Sequence, residues 1–187
     1  IHTVRELPEN LEGELQAVVD QPKRGLTARN HTATHLLQAA LQEILGGHVD
    51  QKGSLVRSDY LRFDFSHYAK VEPDQLRQIE ERINAKIRED IPLEEQRSIP
   101  IQEALNQGAT AVFGEKYGGY VRMVTFDPGF SRELCGGTHV QSTGAIGMLK
   151  ITTETAVAAG IRRIEAVTGP TAERYIDHRL DQLQAIN

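Results

Sequence analysis

The chain's clearest periodicity lies in residues 30–45. There Ala33, Leu36, Leu37, Ala40, Leu41, Ile44 and Leu45 recur at helical spacing and Gly46-Gly47 follows as a stop, which predicts an amphipathic helix with one buried face. The period then changes to two. Leu61, Phe63 and Phe65 alternate with Arg62 and Asp64, so residues 61–65 read as a strand, paired across Ser58-Asp59 with a strand at 49–56. Pro73 suits the first turn of a second helix reaching about residue 89, with Leu76, Ile79, Ile83 and Ile87 as its stripe and the charges opposite. Beyond it the pattern predicts a strand at 92–99, a short helix at 101–106 ended by Gly108, and a strand at 120–126 after the glycine-rich GEKYGG turn. Two more strands are predicted at 146–154 and 161–167. Pro170 opens a last helix bearing Tyr175, Ile176, Leu180, Leu183 and Ile186, which would continue past the final residue.

The first 24 residues differ from the rest. Two short strands, 2–5 and 14–19, are joined by a loop with Pro8, Asn10 and Gly13, and residues 22–25 punctuate the chain before the long helix. Strands interleaved with helices imply an α+β fold: a two-layer domain with a mostly antiparallel sheet and two long helices, plus a short N-terminal β segment and a C-terminal helix. Residues 1–24 read as a remnant of a preceding β-rich module, 25–169 as the principal domain, and 170–187 as a helix leading to a missing region. An Ile at position 1 agrees with a piece of a longer protein.

Composition narrows the classes. At 187 residues a single core can bury about 70% of the unfolded chain's surface, so no staple is needed to hold the fold and a metal site reads first as functional. No run of 18 apolar residues occurs, and the first residues lack a basic region followed by an apolar one, which argues against membrane spanning and secretion. One cysteine, Cys135, excludes an internal disulfide, and a free thiol points to a reducing, cytoplasmic setting. The net charge of −5 is local: residues 72–103 hold nine acidic against five basic side chains, the solvated face of the second helix. A nearly neutral remainder leaves Lys52, Arg57, Lys116, Arg122, Lys150, Arg162 and Arg163 as candidates for a basic face.

The chemistry concentrates in two short segments. His31 and His35 are four residues apart, so both imidazoles leave one face of the helix. Far along the chain, Cys135-Gly-Gly-Thr-His139 offers a thiol and a third imidazole on a loop whose glycines allow tight wrapping. Cys plus three His is a donor set suited to tetrahedral Zn²⁺. Either all four bind in a closed site, or one swings away and opens a position for water or substrate. His2, His48, His67 and His178 lack such partners and default to packing or surface roles. Position 32 is Thr, so the glutamate of an H-E-x-x-H protease is missing; a Cys135 consumed as ligand is no nucleophile. Neither a G-x-x-x-x-G-K-[ST] nor a G-x-G-x-x-G segment occurs, so nothing here cradles ATP or a dinucleotide.

At these residues the chain resembles the editing region of alanyl-tRNA synthetases. The matching stretches are RNHTATHLLQAAL, HVDQKGSLV, LRFDFSH, VFGEKYG, ELCGGTHV, TGAIG and GIRRIEAVTG, spread over essentially all 187 residues. Threonyl-tRNA synthetases pair the same two ligand spacings within different surrounding segments, whereas freestanding trans-editing proteins share the alanyl type. The resemblance implies that residues 25–169 form an aminoacyl-tRNA editing domain, which hydrolyses tRNA(Ala) mischarged with serine or glycine. It implies His31, His35, Cys135 and His139 as the Zn²⁺ ligands, with Thr34 and Gln51 in the amino-acid pocket. Backbone N–H groups of Gly136 and Gly137 are further candidates, for stabilising an oxyanion. Arg162 and Arg163 are the preferred phosphate contacts, ahead of Lys52 and Lys116; being adjacent on a strand, the two arginines should face opposite sides. A zinc-stabilised tRNA-binding module without turnover is the alternative from a different class.

Overall fold

Asp20 opens the first helix by accepting the Lys23 backbone N–H, and Pro22 occupies its first turn, where a missing donor costs nothing. The computed structural model describes Glu6, Gly13, Glu14 and residues 16–111 and 116–185. In it α1 is Gln21–Leu45, nine residues longer at its start than the hydrophobic period indicates. The first two turns lack a buried apolar stripe, so the cap and Pro22 set that boundary rather than periodicity. Residues 22–25 are therefore helix, and the helix crosses from residue 24 to 25 without a break. Glu14 and residues 16–20 carry no regular structure, so the strand expected at 14–19 is not formed among them. The other expected N-terminal strand, at residues 2–5, lies outside the described residues. At its far end α1 stops at Gly46, whose φ of 114° would strain any other residue.

Among the described residues the strands make two antiparallel sheets. One has the order β1 (Gln51–Val56), β2 (Leu61–Ser66), β7 (Ile161–Thr168), β6 (Leu149–Ala158). Phe63 opposes Ile164 and Leu61 opposes Ala166, so the alternation in β2 builds a completely buried face. Helices α1 and α2 (Pro73–Arg88) lie together over that face, and Leu36, Leu37, Leu41, Ile79 and Ile83 are fully buried with it. Each such side chain contributes roughly 1.5–3 kcal/mol, and this layer holds most of the core. The second sheet is β3 (Glu94–Pro100), β4 (Tyr120–Phe126), β5 (Ser131–Leu134). With α3 (Ile101–Asn106) it encloses a smaller cluster of Ile99, Ala104, Ala109, Val121, Met123 and Leu134.

Three further differences from the sequence reading have local causes. Ile146 ends a 3-10 turn, Thr143–Ile146, and β6 runs from Leu149 to Ala158, because Gly147, at φ 85°, reverses the chain first. Pro92 forms only an isolated bridge with Ser142, and the strand proper starts at Glu94. Strand β5 has no hydrophobic alternation in Ser-Arg-Glu-Leu; it forms because β4 supplies a pairing edge. Helix α4 spans Gly169–Gln184. Among the described residues no helix is long and apolar enough to cross a membrane.

The layers place α1 between the sheets, touching β1, β2 and β7 on one side and β5 on the other. Cys135 follows β5 directly.

Candidate metal centre

Helical spacing puts His31 and His35 one turn apart on α1, with ring centroids 5.1 Å apart and nearly perpendicular. The loop after β5 brings Cys135 and His139 against them. Cys135 Sγ is 3.6 Å from Nε2 of His31 and 3.4 Å from Nε2 of His139, and one donor atom from each of the four residues lies within 4.8 Å of the others. Donors around one tetrahedral ion at about 2.0–2.3 Å are spaced on the order of 3.3–3.8 Å, so the pairs to Cys135 already sit near ligand–ligand distance. These residues can hold a metal ion together, as their spacing in the chain predicts.

Outer contacts fix the rings. Nδ1 of His31 is 3.2 Å from the Thr138 carbonyl, and Nδ1 of His139 is 3.1 Å from Thr32 Oγ1, which also accepts the Val140 N–H. The carbonyl partner commits the Nδ1 proton of His31 outward, and in both rings it is Nε2 that faces the Cys135 sulfur. His35 is buried and its Nδ1 has no hydrogen-bond partner, while Nε2 is 3.5 Å from a carboxylate oxygen of Glu133. An orphaned imidazole nitrogen beside three other soft or borderline donors fits a zinc-type ion better than a plain packed core.

The electrostatics favour ligation over protonation. Burial lowers the pKa of His31 and His35, His35 well below the ordinary value, and burial with His31 and Arg122 nearby lowers His139 to about 3. All three imidazoles are thus neutral at pH 7, the form that binds metal. Burial also pushes the Glu133 carboxyl up to about 8. Nothing in the sequence pattern singles out Glu133; its only signal is a position two residues before Cys135.

Three of the four, His31, His35 and Cys135, form part of the wall of a cavity of about 270 Å³. His31, Thr34, His35, Gln51, Ser54, Tyr117, Glu133, Cys135, Gly136 and Gly137 line it, so Thr34 and Gln51 do reach the same space as the ligands. Thr34 Oγ1 donates to the Asn30 carbonyl at 2.8 Å, which leaves its oxygen able to accept. Gln51 Nε2 donates to Ser54 Oγ at 3.3 Å. Of the two glycines, Gly137 directs its N–H to Cys135 Sγ at 3.4 Å, in support of the sulfur.

Of the cationic candidates, Arg122 contacts the loop of the centre, whereas Arg162 and Arg163 are engaged on the sheet. Arg162 makes a two-pronged contact with Glu154 at 2.6 and 2.7 Å, and Arg163 a similar one with Asp64 at 2.6 and 2.8 Å. Arg162 opposes Phe65 and Arg163 opposes Asp64, so they occupy opposite faces of the sheet. Lys52 is 3.6 Å from Asp50. Lys116 is exposed, next to Tyr117 of the cavity wall.

Residues 121–165 match the family described as "Threonyl and Alanyl tRNA synthetase second additional domain", a stretch that contains Cys135 and His139 but not the helix bearing His31 and His35. Whole-chain similarity extends to proteins named "Alanine--tRNA ligase". That of Cytophaga hutchinsonii is 56% identical over 186 residues, covering 100% of this chain and 21% of the relative. Those of Salinibacter ruber and Bacteroides fragilis are 54% and 56% identical over 97% and 98% of this chain, and 19% and 21% of their own lengths. The chain thus spans about a fifth of the length of these curated relatives. It belongs to the alanine--tRNA ligase family, as the segment that carries the second additional domain.

Proposed function

We propose that this segment is the editing domain of an alanine--tRNA ligase, hydrolysing the ester of tRNA(Ala) mischarged with serine or glycine, with Zn²⁺ as its metal. The observation that carries the reading is the convergence of His31, His35, Cys135 and His139, three of which, His31, His35 and Cys135, line a cavity that also presents Thr34 and Gln51. In the domain division this implies, residues 25–169 are the editing unit with the start of α1 built onto it, and 170–187 the connection to further chain. The cytoplasm is its place of action.

Such a second site answers a physical limit. A pocket sized for alanine excludes the smaller glycine weakly and rejects serine poorly, since one added hydroxyl is a small perturbation. A pocket with polar atoms can invert the preference: serine's hydroxyl donates to Thr34 Oγ1 or meets Gln51, whereas alanine's methyl leaves those atoms unpaired. His31, His35, Cys135 and His139 would hold zinc, which, with one of the four displaced to open a position, would polarise an ester oxygen or the attacking water. The chain's own residues do the rest. Thr34 and Gln51 orient the amino acid, Glu133 presents a buried carboxyl to the same cavity, and the Gly136 N–H is the backbone donor for the developing oxyanion. Gly137 takes part by holding the thiol sulfur.

Phosphate contacts fall to Lys116 and Lys52 ahead of Arg162 and Arg163. Either arginine would have to surrender a two-pronged carboxylate partner to meet the RNA backbone.

Incubating the zinc-loaded chain with Ser-, Gly- and Ala-tRNA(Ala) side by side tests the reading. Release of serine and glycine well ahead of alanine is the expected result. Binding of all three without release would replace it with a metal-stabilised tRNA-binding module.

A further inference from the structure

Against the metal-bearing loop lies the side chain of Arg122, third residue of β4, which with Gly136, Gly137 and His139 lines a cavity separate from that of Thr34 and Gln51. One guanidinium nitrogen donates to the carbonyl of Cys135 at 2.9 Å and to that of Gly137 at 2.6 Å. The other two donate to a single carboxylate oxygen of Glu95, on the neighbouring strand β3, at 2.6 and 2.9 Å. The Cys135 backbone N–H returns a bond to the Arg122 carbonyl at 3.0 Å. Residues 135–137 are otherwise free of regular secondary structure, so this fork is the main polar tether between the loop and the sheet.

From this geometry we propose that Arg122, braced by Glu95, is the positioning residue of the metal centre: it fixes the carbonyls flanking Gly136 and so sets where the Cys135 sulfur stands. The inference rests on the reading of His31, His35, Cys135 and His139 as a zinc site. Two glycines in succession give the loop wide backbone freedom, and a sulfur ligand on such a loop has to be held by something else. The planar fork suits the task, because it spans two carbonyls and a carboxylate at fixed angles, which a lysine ammonium cannot reproduce. Glu95, about three-quarters buried between Arg122 and Arg97, orients the guanidinium and keeps it from turning into solvent.

The test uses Arg122→Lys and Glu95→Gln in the 187-residue chain. Zinc affinity is read by competition with a chromogenic chelator, the thiolate-to-metal charge-transfer band after cobalt substitution, and thermal melting of the metal-free protein. Expected for Arg122→Lys is a loss of zinc affinity of about 10- to 100-fold with a weakened or shifted thiolate band, the size typical of an outer contact to a metal ligand. Glu95→Gln, which keeps an acceptor, should lose less, and metal-free melting should stay close to the parent in both. Parental affinity and an unchanged cobalt spectrum in both variants would overturn the proposal while leaving the zinc site standing. A parent chain that binds no zinc would overturn the site and the proposal together. Collapse of metal-free melting in both variants would make the fork a fold element and also refute the positioning role.

Discussion

Thr32 Oγ1 lies 3.1 Å from Nδ1 of His139, across 107 residues of sequence, and accepts the Val140 N–H at 3.2 Å as well. One buried hydroxyl thus joins the helix that carries two of the proposed ligands to the loop that carries the others, and it leaves Nε2 of His139 facing the centre. Thr32→Val keeps the shape and removes the acceptor. It should cost about 1–3 kcal/mol in stability, read by denaturant unfolding, because the buried Val140 N–H and the His139 ring lose their shared partner. Zinc affinity should fall roughly tenfold in chelator competition. Unchanged affinity would show that Thr32 serves the fold alone.

The two loop glycines should respond oppositely to a methyl group. A Cβ on Gly137 would run into the His31 ring, whereas one on Gly136 meets nothing within 4 Å. Gly137→Ala is expected to displace His31 and lose at least about tenfold in zinc affinity, and Gly136→Ala to bind zinc as the parent does. Isothermal titration of the two variants in parallel decides the matter.

Stability of the metal-free chain should pass through a maximum near neutral pH. His139, at about 3 in the fold against an ordinary 6.5, binds its proton more readily when unfolded, and the lowered values of His31 and His35 act in the same sense. Stability is therefore lost as pH falls below about 6.5. Glu133, raised to about 8 from 4.5, holds a proton in the fold that the unfolded chain has released. It contributes a loss as pH rises toward 8, at up to about 1.4 kcal/mol per pH unit for one proton. Glu133→Gln should remove the alkaline decline and keep the acid one, in urea melts from pH 5 to 9.

Thr34→Val tests the amino-acid pocket. Its hydroxyl oxygen is the acceptor proposed for serine, so kcat/KM on Ser-tRNA(Ala) should drop about tenfold while that on Gly-tRNA(Ala) changes little. Equal losses on both would assign Thr34 to the helix rather than to specificity.

Salt dependence of tRNA binding separates the cations. Lys116→Ala should lower the slope of log affinity against log salt by about one and leave thermal melting unchanged. Arg162→Ala and Arg163→Ala should lower the melting temperature, since each strands a carboxylate, and leave the slope as it was.

How far the chain could be read in advance varied with the source of each element's stability. The stripe from Ala33 to Leu45, the alternation of Leu61, Phe63 and Phe65, and the stripe Leu76, Ile79, Ile83 and Ile87 each report one buried face directly. These elements were legible because a solvent-exposed side and a core side impose a period on the chain. Helix α1 began earlier than its stripe because a cap and a proline, not burial, hold its first turns. Strand β5 is not legible in the sequence since its pairing comes from β4, and its inward residue Glu133 is a polar acid rather than an apolar side chain.

The sequence by itself determined the donor set. Helical geometry fixes the offset of His31 and His35, and a tight Cys-Gly-Gly-Thr-His turn fixes that of Cys135 and His139. Tertiary structure alone decided that the two pairs meet, that Thr32 and Arg122 hold them, that Glu133 faces the same cavity, and that Arg162 and Arg163 are spent on Glu154 and Asp64. The reason is range: local spacing is dictated by bonds and backbone dihedral angles, whereas contacts across a hundred residues exist only once the sheet has set the register of every strand around them.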